Sequence, residues 1–179
     1  MEPYQKLITF QLSQQVYDLT VEFCAEFLYG REYLRTREQM IQAARSGKQN
    51  IAEGSLERSL KSYIKLLGVA RASLGELLED YRDFARTKSV LIWDKNDPRF
   101  KDYRYREFSH FPYKPHQPHT PELPLNLMIN LICRATYLLD RQIAALEEKF
   151  VKEGGFTENL FRKRLEYRRK SGLLKITEC

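Results

Sequence analysis

The chain ends in the residues best suited to do chemistry. Arg162, Lys163, Arg164, Arg168, Arg169 and Lys170 form two basic triplets six residues apart. At helical spacing they spread around much of a helix, with Leu160, Phe161 and Leu165 on its apolar side. Phosphate contacts need only positive charge within reach, so this array suffices for sequence-independent binding to RNA or DNA. A solvated terminal helix, or contact with an acidic protein or a membrane surface, fits the same pattern. A second candidate patch comprises Arg45, Lys48, Arg58 and Lys61. The run RFKDYRYREF at 99–108 interleaves Arg99, Lys101, Arg104 and Arg106 with aromatic residues, a mixture suited to base stacking, although Asp97, Asp102 and Glu107 dilute its charge.

Catalytic patterns are absent. GKQ at 47–49 resembles the end of a phosphate-binding loop, but Gln42 stands where its first glycine belongs, and the segment reads as helix interior. No HExxH, CxxC or GxSxG occurs. His110, His116 and His119 cluster among prolines with no cysteine nearby, a poor metal set. Glu76 and Asp80 share a helix face. With Asn50, Glu53 and Arg71 they read as a structural polar cluster in which carboxylates pair with Arg45 or Arg71 or hold Asn50. Such a cluster fixes helix register. Neither an enzyme nor a cofactor is expected.

The elements that must position these residues are helical. Hydrophobic residues make up 42% of the 179 and charged residues 30%, as in a helix-rich globular protein. Five of the seven prolines lie between Pro98 and Pro121, leaving the rest almost free of helix breakers. No apolar run approaches the roughly 20 residues that cross a bilayer, and the N-terminus lacks a secretory pattern. With three distant cysteines, two of them inside apolar helical patterns, this reads as a reduced, cytoplasmic protein. The net charge of +6 favours polyanionic partners. From Phe156 to Cys179, seven Lys/Arg stand against three Glu and supply a net +4.

Periodicity predicts a first helix over about Tyr4–Tyr29 with two apolar stripes. Leu7, Phe10, Tyr17, Val21, Cys24 and Leu28 form one; Ile8, Leu12, Val16, Leu19, Phe23 and Phe27 form the other. Such a helix is buried deep in its own bundle or contributes to a subunit interface. A second helix is expected from Thr36, capped through Gln39, to Gly54, with Met40, Ala43, Ala44, Gly47 and Ile51 on a small face that admits a close neighbour. The third carries an unbroken seam, Leu60, Tyr63, Leu67, Ala70, Leu74, Leu77, Tyr81 and Phe84, and should end near Arg86–Ser89. An aromatic, proline-rich connection over 89–121 follows and should lie along the bundle. A fourth helix reaches Gly154-Gly155, and a fifth, capped by Thr157, is short and basic.

These features place the chain in the all-α class: an antiparallel four-helix bundle over 1–155 with a basic C-terminal extension over 156–179. QAARSGKQNIAEG (42–54), Arg58-Ser59, the long helix with Ala70, Ser73 and Glu76, and YLLDRQ (137–142) together resemble the bacterial four-helix-bundle proteins encoded in intervening sequences of large-subunit ribosomal RNA genes. The accessory variability determinants of diversity-generating retroelements look like relatives. NIAEGS, GVARASLGELLEDYRDFART and the Gly-Gly-plus-basic tail resemble the variant with a C-terminal suffix. Family members usually carry an apolar residue and proline where Gly47 and Lys48 stand. The resemblance implies a homopentamer without enzymatic activity, and a basic surface that binds nucleic acid and a reverse transcriptase. Two functions are expected from these readings. One is a non-enzymatic, oligomeric nucleic-acid-binding bundle, an accessory to a larger machine. The other is a self-assembling scaffold that recruits a protein partner through its aromatic connection.

Overall fold

The computed structural model describes residues 2–103, 110–113 and 120–171. Among these residues five α-helices follow in order: α1 (Ile8–Phe27), α2 (Leu34–Leu56), α3 (Leu60–Lys88), α4 (Glu122–Glu153) and α5 (Phe156–Lys170). The first four form an all-α bundle in which α2 packs between α1 and α3, and α4 closes the ring against α3 and α1. Two short turns, Leu28–Tyr33 and 57–59, reverse the chain between the first three helices. The long connection reverses it again, because Tyr63 in the first turn of α3 meets Gln142, in the second half of α4.

The helix ends depart from the expected capping. Pro3–Lys6 forms a separate 3-10 turn, so α1 starts at Ile8 instead of Tyr4. Thr36 does not cap α2, which already begins at Leu34 behind a 3-10 turn over Arg31–Tyr33. Nor does Gly54 terminate it. The helix runs on to Leu56, and a Cβ at Gly54 would stand 2.9 Å from Tyr63 Cδ2 and 3.2 Å from Leu66 Cβ. That glycine serves close helix contact, not chain reversal. Ser59 caps α3 by accepting the Ser62 amide, and Ser89 ends it in the left-handed conformation at φ 55°.

The core is built by the expected seams. Leu67, Ala70, Leu74, Leu77 and Tyr81 of α3 are wholly buried against Met40, Ala44 and Ile51 of α2 and Met128, Ile132 and Leu139 of α4. Much of both α1 stripes is used inside the chain. Leu12, Val16, Leu19, Phe23, Cys24 and Leu28 are buried, while Ile8 and Val21 remain exposed. Gly47 faces the buried Leu74, and an added Cβ would lie 2.7 Å from its Cδ2.

Polar bonds set the register between the apolar layers. The Thr9 hydroxyl donates to Gln142 Oε1 (2.8 Å), whose amide donates to the Tyr63 hydroxyl (2.7 Å), tying α1, α4 and α3 together. At the other end the buried Tyr81 hydroxyl donates to Thr20 (3.1 Å), and Phe23 packs edge-on against Tyr81 and Phe84.

The described parts of the connection lie along the bundle as expected. Asn126 accepts the Trp93 amide (2.7 Å) and donates to the Leu91 and Glu122 carbonyls (2.8 Å each). Phe100 is buried edge-on to Trp93. Further on, Glu22 accepts the Phe111 amide (3.0 Å), Glu26 accepts the Tyr113 hydroxyl, and Phe111 is buried. Tyr105, Phe108, His116 and His119 lie outside the described residues.

Two mid-helix glycines should respond oppositely to substitution. Gly68 has nothing within 4 Å of an added Cβ, so Gly68→Ala should stabilise by about 1 kcal/mol through helix propensity. At Gly47 the same gain is offset by overpacking of about 1–3 kcal/mol, so Gly47→Ala should destabilise by roughly 1 kcal/mol. Chemical denaturation of the two variants reads both signs. Burial, the largest influence, pushes the Cys24 thiol up to about 12 from 9.0, with Arg37 lowering it and Asp80 raising it. Burial likewise raises the Tyr81 hydroxyl well above its ordinary value. The unfolded chain thus releases protons that the folded one keeps. Stability is fully present below pH 9 and should fall as pH rises through about 12, by on the order of 1 kcal/mol per pH unit for Cys24. Cys24→Val should flatten that decline in a pH series of thermal melts.

Candidate nucleic-acid interface

The basic helix α5 stands apart from the bundle. Gly154, at φ 76°, and the extended Gly155 break the chain after α4. Glu158 then closes the new N-terminus by accepting the Gly155 amide (2.8 Å). The helix begins at Phe156, so Thr157 lies inside it and is not the expected cap. No α5 residue is buried, and none of the four bundle helices packs along it.

The six cations of α5 divide by role. Arg162 turns back, donating through Nη2 to the Glu153 carbonyl (2.9 Å) and to Asn159 Oδ1 (2.7 Å). It holds the elbow between α4 and α5, a task its sequence position did not reveal. Lys163, Arg164, Arg168, Arg169 and Lys170 are exposed and form no ion pair among the described residues. Glu158 and Glu166 are the carboxylates of α5, so its six cations leave a net positive field. Phe161 and Tyr167 are also open, at 61% and 68% exposure.

The second patch has Lys48 engaged in a contact within the bundle. Arg45 is exposed, but Lys48 points to α1, its ammonium 4.3 Å from the centre of the Tyr17 ring. Arg58 lies beyond the end of α2, and Lys61 in the first turn of α3; both are exposed. The aromatic run at 99–108 is also committed inward where described. Arg99 pairs with Asp97 (2.8 Å) and Glu122 (3.0 Å) and lies 4.0 Å from the Trp93 ring centre. Hydrogen bonds from Arg99 hold the Asp97 carboxyl down at about 2. Arg104 and Arg106 lie outside the described residues.

The expected polar cluster is dispersed. Arg71 binds Asp140 on α4 (Nε to Oδ1, 3.0 Å) and neither Glu76 nor Asp80. Asn50 donates to the Ser46 carbonyl (2.8 Å) and hydroxyl (3.2 Å), and Ser46 meets Ser73 across the α2–α3 contact (2.9 Å). Glu53 is exposed. Glu76 and Asp80 line an open groove of about 550 Å³ with Gln39, Gln42, Ser46 and Ser73. Burial, then Asp83 and Glu76, raise the Asp80 carboxyl above its ordinary value. Of the partners that matter here, Asp140 and Gln142 sit in the YLLDRQ stretch that was legible only as a motif. His110 faces Glu22 (3.1 Å). Among the described residues no group of three or more His, Cys, Asp or Glu could hold a metal ion, and no helix is long and apolar enough to cross a membrane.

Comparison with known proteins bears on the bundle, not on α5. No curated protein and no solved structure gives a match. The model of the 23S rRNA-intervening sequence protein family matches residues 4–91, a stretch that ends just after α3 and leaves α4 and α5 outside. It contains the small face of α2, the glycine contact with α3 and the Ser46–Ser73 pair. Over residues 4–91, helices α1 to α3 with the start of the connection, the chain is thus similar to the 23S rRNA-intervening sequence protein family.

Proposed function

We propose that this protein is a non-enzymatic helical bundle that binds nucleic acid, RNA or DNA, through α5. The observation that carries the reading is the set of five cations on a helix with no buried residue and no bundle helix along it. Six Lys/Arg against two Glu make α5 strongly positive, whereas the remainder of the chain is close to balanced. A polyanion gains from such a site by releasing its condensed counterions, which needs no pocket and no catalytic group. Arg162 serves by holding the elbow, and Arg45, Arg58 and Lys61 add exposed positive charge on the bundle. Self-association fits the same function, because several copies would present several α5 helices to one strand and raise the effective concentration of contacts.

Replacing Lys163, Arg164, Arg168, Arg169 and Lys170 with glutamine should weaken binding and flatten its salt dependence. The slope of log K against log salt should shrink by up to about 3.5 on single strands and about 4.5 on duplex. Lys48→Gln, whose ammonium lies over Tyr17, should leave the slope unchanged. Filter binding across a salt series reads both variants, and an unaltered slope in the five-residue variant would remove α5 from the interface.

A further inference from the structure

We infer that α5 binds unpaired nucleotides in preference to duplex, with Tyr167 as a stacking platform; the inference rests on the nucleic-acid reading above. Tyr167 is 68% exposed on a helix with no buried residue among those described. Its helical neighbours at i−4, i−3 and i+3 are Lys163, Arg164 and Lys170, and the residue at i+4 is Ser171. An open aromatic ring is thus bordered by three cations and no carboxylate along its own face. Neither contribution suffices alone: cations by themselves bind any phosphate backbone, and a ring by itself would be an idle apolar surface. Together they match a strand whose base is splayed out onto the ring while its flanking phosphates meet the cations. In a duplex the bases are already stacked on each other, so the ring has no open base face to meet.

The described stretch around Trp93, where aromatic and basic residues also interleave, does not offer this arrangement. Around Trp93 and Phe100 the rings pack against each other and Arg99 is held by two carboxylates. Phe156, at the first position of α5, and Phe161 are also open; Phe161 has Arg164 and Arg168 at i+3 and i+7 but Glu158 at i−3. Its face is mixed, so Tyr167 is the stronger platform.

The test measures the full-length chain against a single-stranded RNA, a single-stranded DNA, a blunt duplex of equal phosphate number and anionic phosphatidylserine vesicles. Single strands should bind more tightly than the duplex at the same salt. Tyr167→Leu should weaken single-strand binding roughly 5- to 100-fold while leaving duplex binding within about twofold. Tyr167→Phe, which keeps the ring, should retain most of the affinity. The residue is exposed, and an unchanged circular dichroism spectrum confirms that the variants remain folded. Equal affinity for strand and duplex, or a Tyr167→Leu variant that binds single strands normally, overturns this inference and leaves the proposed function standing. Vesicle binding with no binding to any nucleic acid at low salt overturns both.

Discussion

The closeness of α2 to α3 is the constraint on which the rest of the bundle depends. Gly47 meets Leu74 and Gly54 meets Tyr63 with no room for a methyl group at either place. Ala44 and Ala70 are wholly buried between these helices, and the Ser46 and Ser73 hydroxyls touch across the same contact. Small side chains trade individual buried area for backbone proximity, so the pair gains its dispersion energy from many short contacts. Once α2 and α3 are fixed at this spacing, the larger residues of α1 and α4 must fill the remaining volume. Phe23, Leu19, Met128 and Ile132 do so from the opposite side.

The long connection is made part of the bundle by a few polar side chains. Asn126 satisfies three backbone groups at the mouth of α4, and Glu22 and Glu26 of α1 hold residues 110–113. Each bond orders a stretch that has little regular structure, and the adjoining rings Phe100 and Phe111 remove apolar area from water. The described rings Trp93, Phe100 and Phe111 of this region are therefore spent on its own fold. On α5, by contrast, the rings of Phe161 and Tyr167 and the cations beside them face outward.

The seams were legible because burial imposes a strict period: every position from Leu67 to Phe84 named in the α3 pattern is buried. Gly47 was legible as a close-contact residue for the same reason. Helix termini were not, since capping by Thr36 and Thr157 depended on where the preceding 3-10 turn or glycine pair placed the first residue. Polar partners were the least legible. Arg71 had carboxylates on its own helix at Glu76 and Asp80, yet Asp140 on another helix takes it. A side chain as long as arginine reaches whichever carboxylate the packing brings near, and that is a tertiary fact. Similarly, nothing in the order of residues distinguishes Arg162, which turns back to Glu153, from the five cations that do not.

The reach of α4 has a thermodynamic consequence. Thr9, near the start of α1, already meets Gln142, so the eleven residues from Ile143 to Glu153 run on past the body of α1 for about 16 Å. Only Ile143, Leu146 and Phe150 keep partial cover along this overhang, and α5 begins beyond it. Unravelling of α5 would thus expose almost no core surface, so it belongs to a separate cooperative unit from the seams of α2 and α3. A ligand that engages α5 alone stabilises that unit and transmits little to the main unfolding transition. Its occupancy is therefore readable from hydrogen exchange in α5 and nearly invisible in the melting temperature of the bundle.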